Sequence, residues 1–222
     1  MAAFLVFAPF CSRRACDGLI LFWARTLLWL SGVKVHIRGQ ENLNKLKSAI
    51  FVSNHLSHFD IPILYTSVPH SFRMAAKAEL FNIPLFGRAL RAFGFFPVQR
   101  ETPENTKQTL KMMADRFNKG ESVWMAPEGT RQMPPRIGEF KMGAFYLAIR
   151  TQQSVVPIVI YGSQYVLPKN SFLINFNKWN QDVFVEIGEP SPISQWPMES
   201  RHEFRDQVRN QMIEVFGRLA QS

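Results

Sequence analysis

From residue 34 onward the chain alternates short runs rich in β-branched and aromatic residues with stretches of helical periodicity, and this alternation most restricts the folds open to it. The runs are VKVHIRG (33–39), SAIFVSN (48–54), FRMAA (72–76), SVWMA (122–126), SVVPIVIY (154–161) and DVFVEIG (182–188). Short strands separated by helices predict an α/β fold with a mixed, largely parallel central sheet flanked by helices. Between the third and fourth runs, Thr102 can cap a helix with Pro103 in its first turn. Leu110, Met113 and Phe117 then share one face, and Gly120 ends it. A last helix is expected near Glu199 to Leu219, with Phe204, Val208, Ile213, Val215, Phe216 and Leu219 available to pack on the sheet.

With 222 residues, 46% of them hydrophobic, the chain is long enough to bury a substantial core, and disorder is excluded. No repeat, low-complexity tract or linker interrupts it after residue 34, so residues 34–222 are expected to form one domain. The net charge of +9 points to anionic partners, and the excess is concentrated in two places. Residues 1–50 carry seven basic against two acidic side chains, and residues 71–150 carry thirteen against seven. Only Cys11 and Cys16 are present, which excludes a disulfide framework and a four-cysteine zinc site and fits a reducing compartment. Phenylalanine supplies 20 of the aromatic residues, a choice suited to apolar burial or lipid contact rather than to base recognition.

The first 33 residues stand apart in composition. An apolar run (residues 2–11) is interrupted by Ser12-Arg13-Arg14, and a second run, Gly18 to Leu30, carries Arg25, Trp23 and Trp29. Thirteen helical residues reach roughly 20 Å against a hydrocarbon core about 30 Å thick, so neither run spans a bilayer. Residues 1–33 are therefore expected to be a membrane-anchoring helical segment, monotopic and half-sunk, with tryptophans at headgroup depth. Ordinary buried core helices are the bland alternative. A signal peptide is disfavoured, because Arg13-Arg14 follow the first apolar run instead of preceding it.

Three segments carry chemistry. In SAIFVSNHLSHFDIPIL a strand ends at Ser53-Asn54, and His55 falls at its carboxyl end, the edge where open α/β sheets hold their sites. On a regular helix His55 and Asp60 would point roughly 140° apart. With His55 in the turn and Asp60 in the first helical turn, however, the carboxylate can accept the imidazole Nδ1 proton and leave Nε2 as a base. Such a base could take the proton of a substrate hydroxyl as it attacks an activated acyl carbon. No Gly-x-Ser-x-Gly nucleophile elbow occurs in the chain. In ESVWMAPEGTRQ a strand ends at Ala126, and the turn that follows offers free backbone N–H groups, Gly129 for close approach and the Arg131 guanidinium, a set able to hold a phosphate. An ordinary surface turn would read the same. RAFGFFPVQRE delivers Arg100, a second phosphate contact or the partner of Glu101 or Glu104 in a salt bridge.

Taken together, NHLSHFD (His55 to Asp60), GFFPVQR ending at Arg100, APEGTR (Pro127 to Arg131) and VVPIVI (Val155 to Ile160) resemble, in this order and at these intervals, the four motifs of the glycerolipid acyltransferases of the lysophosphatidate type. The likeness covers about residues 30–190. It implies transfer of a fatty acyl group from acyl-CoA or acyl-carrier protein to the sn-2 hydroxyl of 1-acyl-sn-glycerol 3-phosphate, forming phosphatidate. It implies His55 as general base, Asp60 as its orienting partner, and Arg100, Glu128, Gly129 and Arg131 at positions associated with binding the glycerol phosphate. No metal or bound cofactor is implied. Since like charges repel, Glu128 is expected to orient Arg131 or Arg100 or to bind a glycerol hydroxyl. The acceptor is a membrane lipid, and the expected location is the cytoplasmic face of the inner membrane, with the basic segments against an anionic surface.

Three rivals make different demands. A related enzyme acting on another lysolipid, such as lyso-ornithine lipid, would share His55 and Asp60. A nucleic-acid-binding module would use the +9 charge but leave the histidine, the aspartate and the Pro-Glu-Gly-Thr-Arg turn without a role. A zinc hydrolase on His55 and His58 lacks the glutamate of a His-Glu-x-x-His helix, because residue 56 is leucine.

Overall fold

The computed structural model describes residues 13–98, 103–169, 171, 175 and 180–221. The six expected strands form, joined by a seventh. They are β1 (Val33–Arg38), β2 (Ile50–Ser53), β3 (Phe72–Lys77), β4 (Phe96–Val98), β5 (Ser122–Met125), β6 (Val155–Tyr161) and β7 (Gln181–Ile187). They make one sheet in the order β1-β7-β6-β2-β5-β3-β4. Every neighbouring pair is parallel except β6 and β7, so β1 and β7 run against the other five. The sheet is thus mixed and mostly parallel. The seventh strand contains Pro97, which lacks an N–H, and it forms at the sheet edge, where a missing donor is tolerated.

The helices are α1 (Arg13–Leu30), α2 (Asp60–Ser67), α3 (Phe86–Ala92), α4 (Pro103–Asn118), α5 (Gly143–Thr151), the single turn α6 (Ser163–Val166) and α7 (Arg201–Leu219). Side chains alternate across the sheet: Ile50 and Val52 join the core under α4, α5 and α7, whereas Phe51 joins the one under α1 and α2. In α4, Met113 and Phe117 are buried as their spacing predicts, and Gly120 takes φ 70° beyond its end; the expected cap, Thr102, lies outside the described residues. In α7 the buried positions are Phe204, Val208, Met212 and Leu219, and Ile213 is exposed. The four-residue step from Phe204 selects Met212, one place away from the isoleucine that hydrophobicity alone favours.

Helix α1 buries one stripe, Cys16, Ile20, Ala24 and Leu28, spaced four apart, against the domain, and it exposes Phe22, Trp29 and Leu30. Residues 1–12 of the expected anchor lie outside the described residues. Among those described, no helix is long and apolar enough to cross a membrane.

A buried ionic network fastens α1 to the sheet. Arg73, 2% exposed at the start of β3, donates from Nη1 to Asp17 Oδ1 at 2.7 Å, and its Nη2 lies 3.2 Å from Glu121 Oε1. Arg116 reaches the other oxygen of Glu121 at 3.2 Å. Removing one member of a buried ion group strands the others in a medium that solvates them poorly. Arg73→Met is therefore expected to lower the unfolding free energy by about 3–5 kcal/mol in a urea titration; a loss under about 1 kcal/mol would show that the network contributes little.

Candidate active site

Strand β2 ends at Ser53, and the next residue continues its ladder by side chain. Asn54 donates from Nδ2 to the Ile160 carbonyl, and its Oδ1 accepts the Ile160 N–H, both at 2.8 Å, like an extra sheet rung against β6. The chain then leaves the sheet at His55 and turns into α2, whose first residue is Asp60. Ser57 supports the turn by accepting the Phe59 N–H and donating to the Leu167 carbonyl.

The turn brings His55 and Asp60 together. Asp60 Oδ2 lies 2.7 Å from His55 Nδ1 and accepts the backbone N–H groups of Leu56 and Ser57 at 2.8 and 3.0 Å. Asp60 is fully buried at a helix start, where the helix dipole favours a negative charge. An acceptor-only carboxylate there assigns the proton to Nδ1 and leaves Nε2 as a lone-pair acceptor. The His55 side chain is 18% exposed, and no described residue hydrogen-bonds its Nε2. The Trp124 ring stands edge-on to it at 6.1 Å between centroids, held by a 2.9 Å bond from its Nε1 to Ser53 Oγ.

The turn after β5 meets this loop. Gly129 adopts φ 75°, a conformation that favours glycine, and the Gln132 N–H donates to the His55 carbonyl at 2.8 Å. Glu128 is buried, with both oxygens committed to backbone: Oε2 accepts the His55 N–H at 2.9 Å and Oε1 the Gly138 N–H at 2.8 Å. It hydrogen-bonds neither Arg131 nor any other arginine among the described residues. Burial raises its pKa to about 7 even though both N–H groups favour the charged form. Arg131 Nη1 is buried without a partner among the described residues, a costly arrangement that an anion would relieve. Burial and then the charge of Arg131 lower the pKa of His58, which stands at the rim 6.5 Å from the His55 ring.

His55, Asp60, Glu128, Gly129 and Arg131 thus converge at the carboxyl ends of β2 and β5, whereas Arg100 lies outside the described residues. The sequence does not reveal the parts played by Asn54, Trp124 and Gly138. Asn54 could have been singled out by its place between strand and histidine. Trp124 and Gly138 reach the site only through the parallel pairing of β2 with β5 and the long loop after β5. Among the described residues there is no group of three or more His, Cys, Asp or Glu side chains able to hold a metal ion.

A family model described as Acyltransferase matches residues 34–161. The chain belongs to the acyltransferase family. This acyltransferase is 31% identical over 180 residues to the 1-acyl-sn-glycerol-3-phosphate acyltransferase of Haemophilus influenzae, a match covering 80% of this chain and 72% of that one. It is 36% identical over 168 residues to the chloroplastic 1-acyl-sn-glycerol-3-phosphate acyltransferase LPAT1 of Arabidopsis thaliana, covering 75% of this chain and 46% of that one. It therefore spans about half the length of that plant relative, and 40% of its Brassica napus counterpart. The fold matches the crystal structure of the 1-acyl-sn-glycerophosphate acyltransferase PlsC from Thermotoga maritima, with a TM-score of 0.79 over 99% of this chain and 88% of that one at 24% identity.

The Glu128 carboxyl has a distinct pH signature. With its pKa raised from 4.5 to about 7, its contribution to stability is fully present below about pH 4.5 and is lost as the pH rises through 7. Glu128→Gln cannot titrate. The stability gap between wild type and variant in urea unfolding is expected to be larger at pH 5 than at pH 7.5, by about 2 kcal/mol. An equal gap at both would mean that Glu128 does not titrate in this range.

Proposed function

We propose that this acyltransferase moves a fatty acyl group from a thioester, acyl-CoA or acyl-carrier protein, to the sn-2 hydroxyl of 1-acyl-sn-glycerol 3-phosphate and releases phosphatidate. The observation that carries this reading is the imidazole whose Nδ1 is held by Asp60 and whose Nε2 is left free beside the arginine-bearing turn. The named activities of the Haemophilus and Arabidopsis relatives agree with it.

The acceptor hydroxyl gives its proton to His55 Nε2 as its oxygen bonds to the thioester carbonyl carbon. Asp60, 2.7 Å from Nδ1, stabilises the imidazolium that forms. Collapse of the tetrahedral intermediate breaks the C–S bond, and the imidazolium returns its proton to the departing sulfur. Arg131, with its unpartnered buried Nη1, and Arg100 hold the glycerol phosphate. Gly129 lets the backbone approach that phosphate. Glu128 fixes the backbone of His55 to the loop at Gly138, so that the base keeps its place when substrate arrives.

Residues 1–33 act as the membrane anchor in this reading, with α1 lying along the surface at the cytoplasmic face of the inner membrane. Exposed Phe22, Trp29, Leu30 and Arg25 support such a placement. The same helix also contributes Ala24 and Leu28 to the fold, so deleting residues 1–33 would damage the domain together with any anchor.

His55→Ala is expected to lose at least about a hundredfold in rate with long-chain acyl-CoA and lysophosphatidate. Asp60→Asn is expected to fall steeply as well, through loss of the imidazole's orientation. In a panel of lysolipids run beside these variants, lysophosphatidate is the preferred acceptor. An active His55→Ala enzyme would overturn the mechanism, and a preference for another lysolipid would reassign the acceptor.

A further inference from the structure

We infer that the loop from Ile83 to Phe86 is a second lipid contact, separate from the N-terminal helix, which enters the headgroup layer of an anionic bilayer beside the active site. This rests on the reading of the acceptor as a membrane lysophospholipid.

The exposed apolar residues are unevenly placed. Among the described residues nine large ones are exposed, and most lie at one edge of the sheet. Ile83, Leu85 and Phe86 follow the carboxyl end of β3, Met133 follows that of β5, and Tyr165 follows that of β6. Trp29 and Leu30 end α1 just before β1, which runs against the central strands and so begins at this same edge. Phe22 and Ile213 alone fall elsewhere. This is the edge that carries His55 and the turn through Arg131, and β3 lies two strands from β2, about 10 Å across the sheet. An apolar rim concentrated on the face that holds the site, with little elsewhere among the described residues, marks a contact surface and not scattered exposure.

The Ile83–Phe86 loop is built to project. Leu85 has φ 63° and ψ −50°, and the Phe86 N–H donates to the Pro84 carbonyl at 2.7 Å, a strained γ-turn that leucine rarely adopts. The surrounding chain enforces it. The Gly87 N–H donates to the Ile83 carbonyl at 2.8 Å, and a Cβ on Gly87 would stand 2.0 Å from the Phe81 carbonyl oxygen. The result turns leucine outward, 55% exposed, between exposed Ile83 and Phe86, an arrangement that is unfavourable in water and that entry into the headgroup–acyl boundary relieves.

The charge next to it is of the right sign. Arg88 and Arg91 are exposed on α3, which follows the loop, Arg136 and Lys141 are exposed with Glu139 in the loop that contains Met133, and Glu79 is the acidic residue of the β3–α3 connection, so basic residues outnumber acidic ones. Apolar residues at the tip with basic ones following them in the chain fit an anionic leaflet, where the tip enters the acyl boundary and the arginines meet the phosphates.

The test uses the full chain in co-sedimentation with phosphatidylcholine vesicles containing or lacking phosphatidylglycerol. The triple variant Ile83→Ser, Leu85→Ser, Phe86→Ser is expected to lose at least tenfold in partitioning onto the anionic vesicles. Its activity on a short-chain lysophosphatidate dispersed as monomers should stay within about twofold. Leu85→Gly, which accepts the same φ without strain, guards against misfolding and should weaken binding several-fold. Unchanged vesicle binding in both variants would overturn the inference. So would a wild-type dimer that the triple variant converts to monomer, because the surface would then belong to a second copy. Vesicle binding requires no turnover. Loop-dependent binding by a protein without lysophosphatidate activity would therefore leave the surface standing and remove the proposed acceptor.

Discussion

The buried Asp60 carboxylate organises the site. Its Oδ2 alone receives the imidazole of His55 and the backbone N–H groups of Leu56 and Ser57. One atom thus closes the turn that leads out of β2 and sets the direction of the ring. Because the oxygen that fixes the loop also fixes the ring, folding of this segment and orientation of the histidine are one event. The fully buried position keeps water from competing for the carboxylate, which holds the ring in a single orientation.

A second buried carboxylate has a different task. Glu128 accepts from the His55 and Gly138 backbones, tying the β2 loop to the β5 loop across two paired strands. Asn54 does the same toward β6 through its two bonds to Ile160. The histidine is therefore braced on both sides of its strand. Arg131 Nη1, on the β5 loop, is buried without a partner among the described residues. Rigid framing of the histidine beside a buried cation is the arrangement on which the proposed acyl transfer rests.

Much of this was legible in the sequence because the relevant patterns are local. Six of the seven strands follow from β-rich runs, and the His55–Asp60 contact follows from a strand end meeting a helix start five residues later. Two of the four motifs resembling the acyltransferases, NHLSHFD and APEGTR, fall on the two loops that converge, VVPIVI lies within β6, and Arg100 of the remaining motif lies outside the described residues. What escaped depends on pairing between distant segments. The strand at Phe96–Val98 hides behind its proline until the sheet edge explains it. Glu128 reads as a partner for an arginine by charge alone, yet parallel pairing of β2 and β5 delivers it to two backbone N–H groups 73 and 10 residues away. The exposed rim is likewise invisible in one dimension, since Trp29, Leu85, Met133 and Tyr165 become neighbours of one edge only through strand order and direction.

The central claim is that Asp60 holds the proton of neutral His55 on Nδ1 and keeps Nε2 bare. Nitrogen NMR of protein labelled at its histidine rings reads this directly. The account predicts that the His55 resonances, assigned by their loss in His55→Ala, show a protonated Nδ1 and an unprotonated Nε2 in the neutral ring, and that Asp60→Asn redistributes the proton between the two nitrogens. A wild-type ring carrying its proton on Nε2 would contradict it, because no base would then face the acceptor hydroxyl.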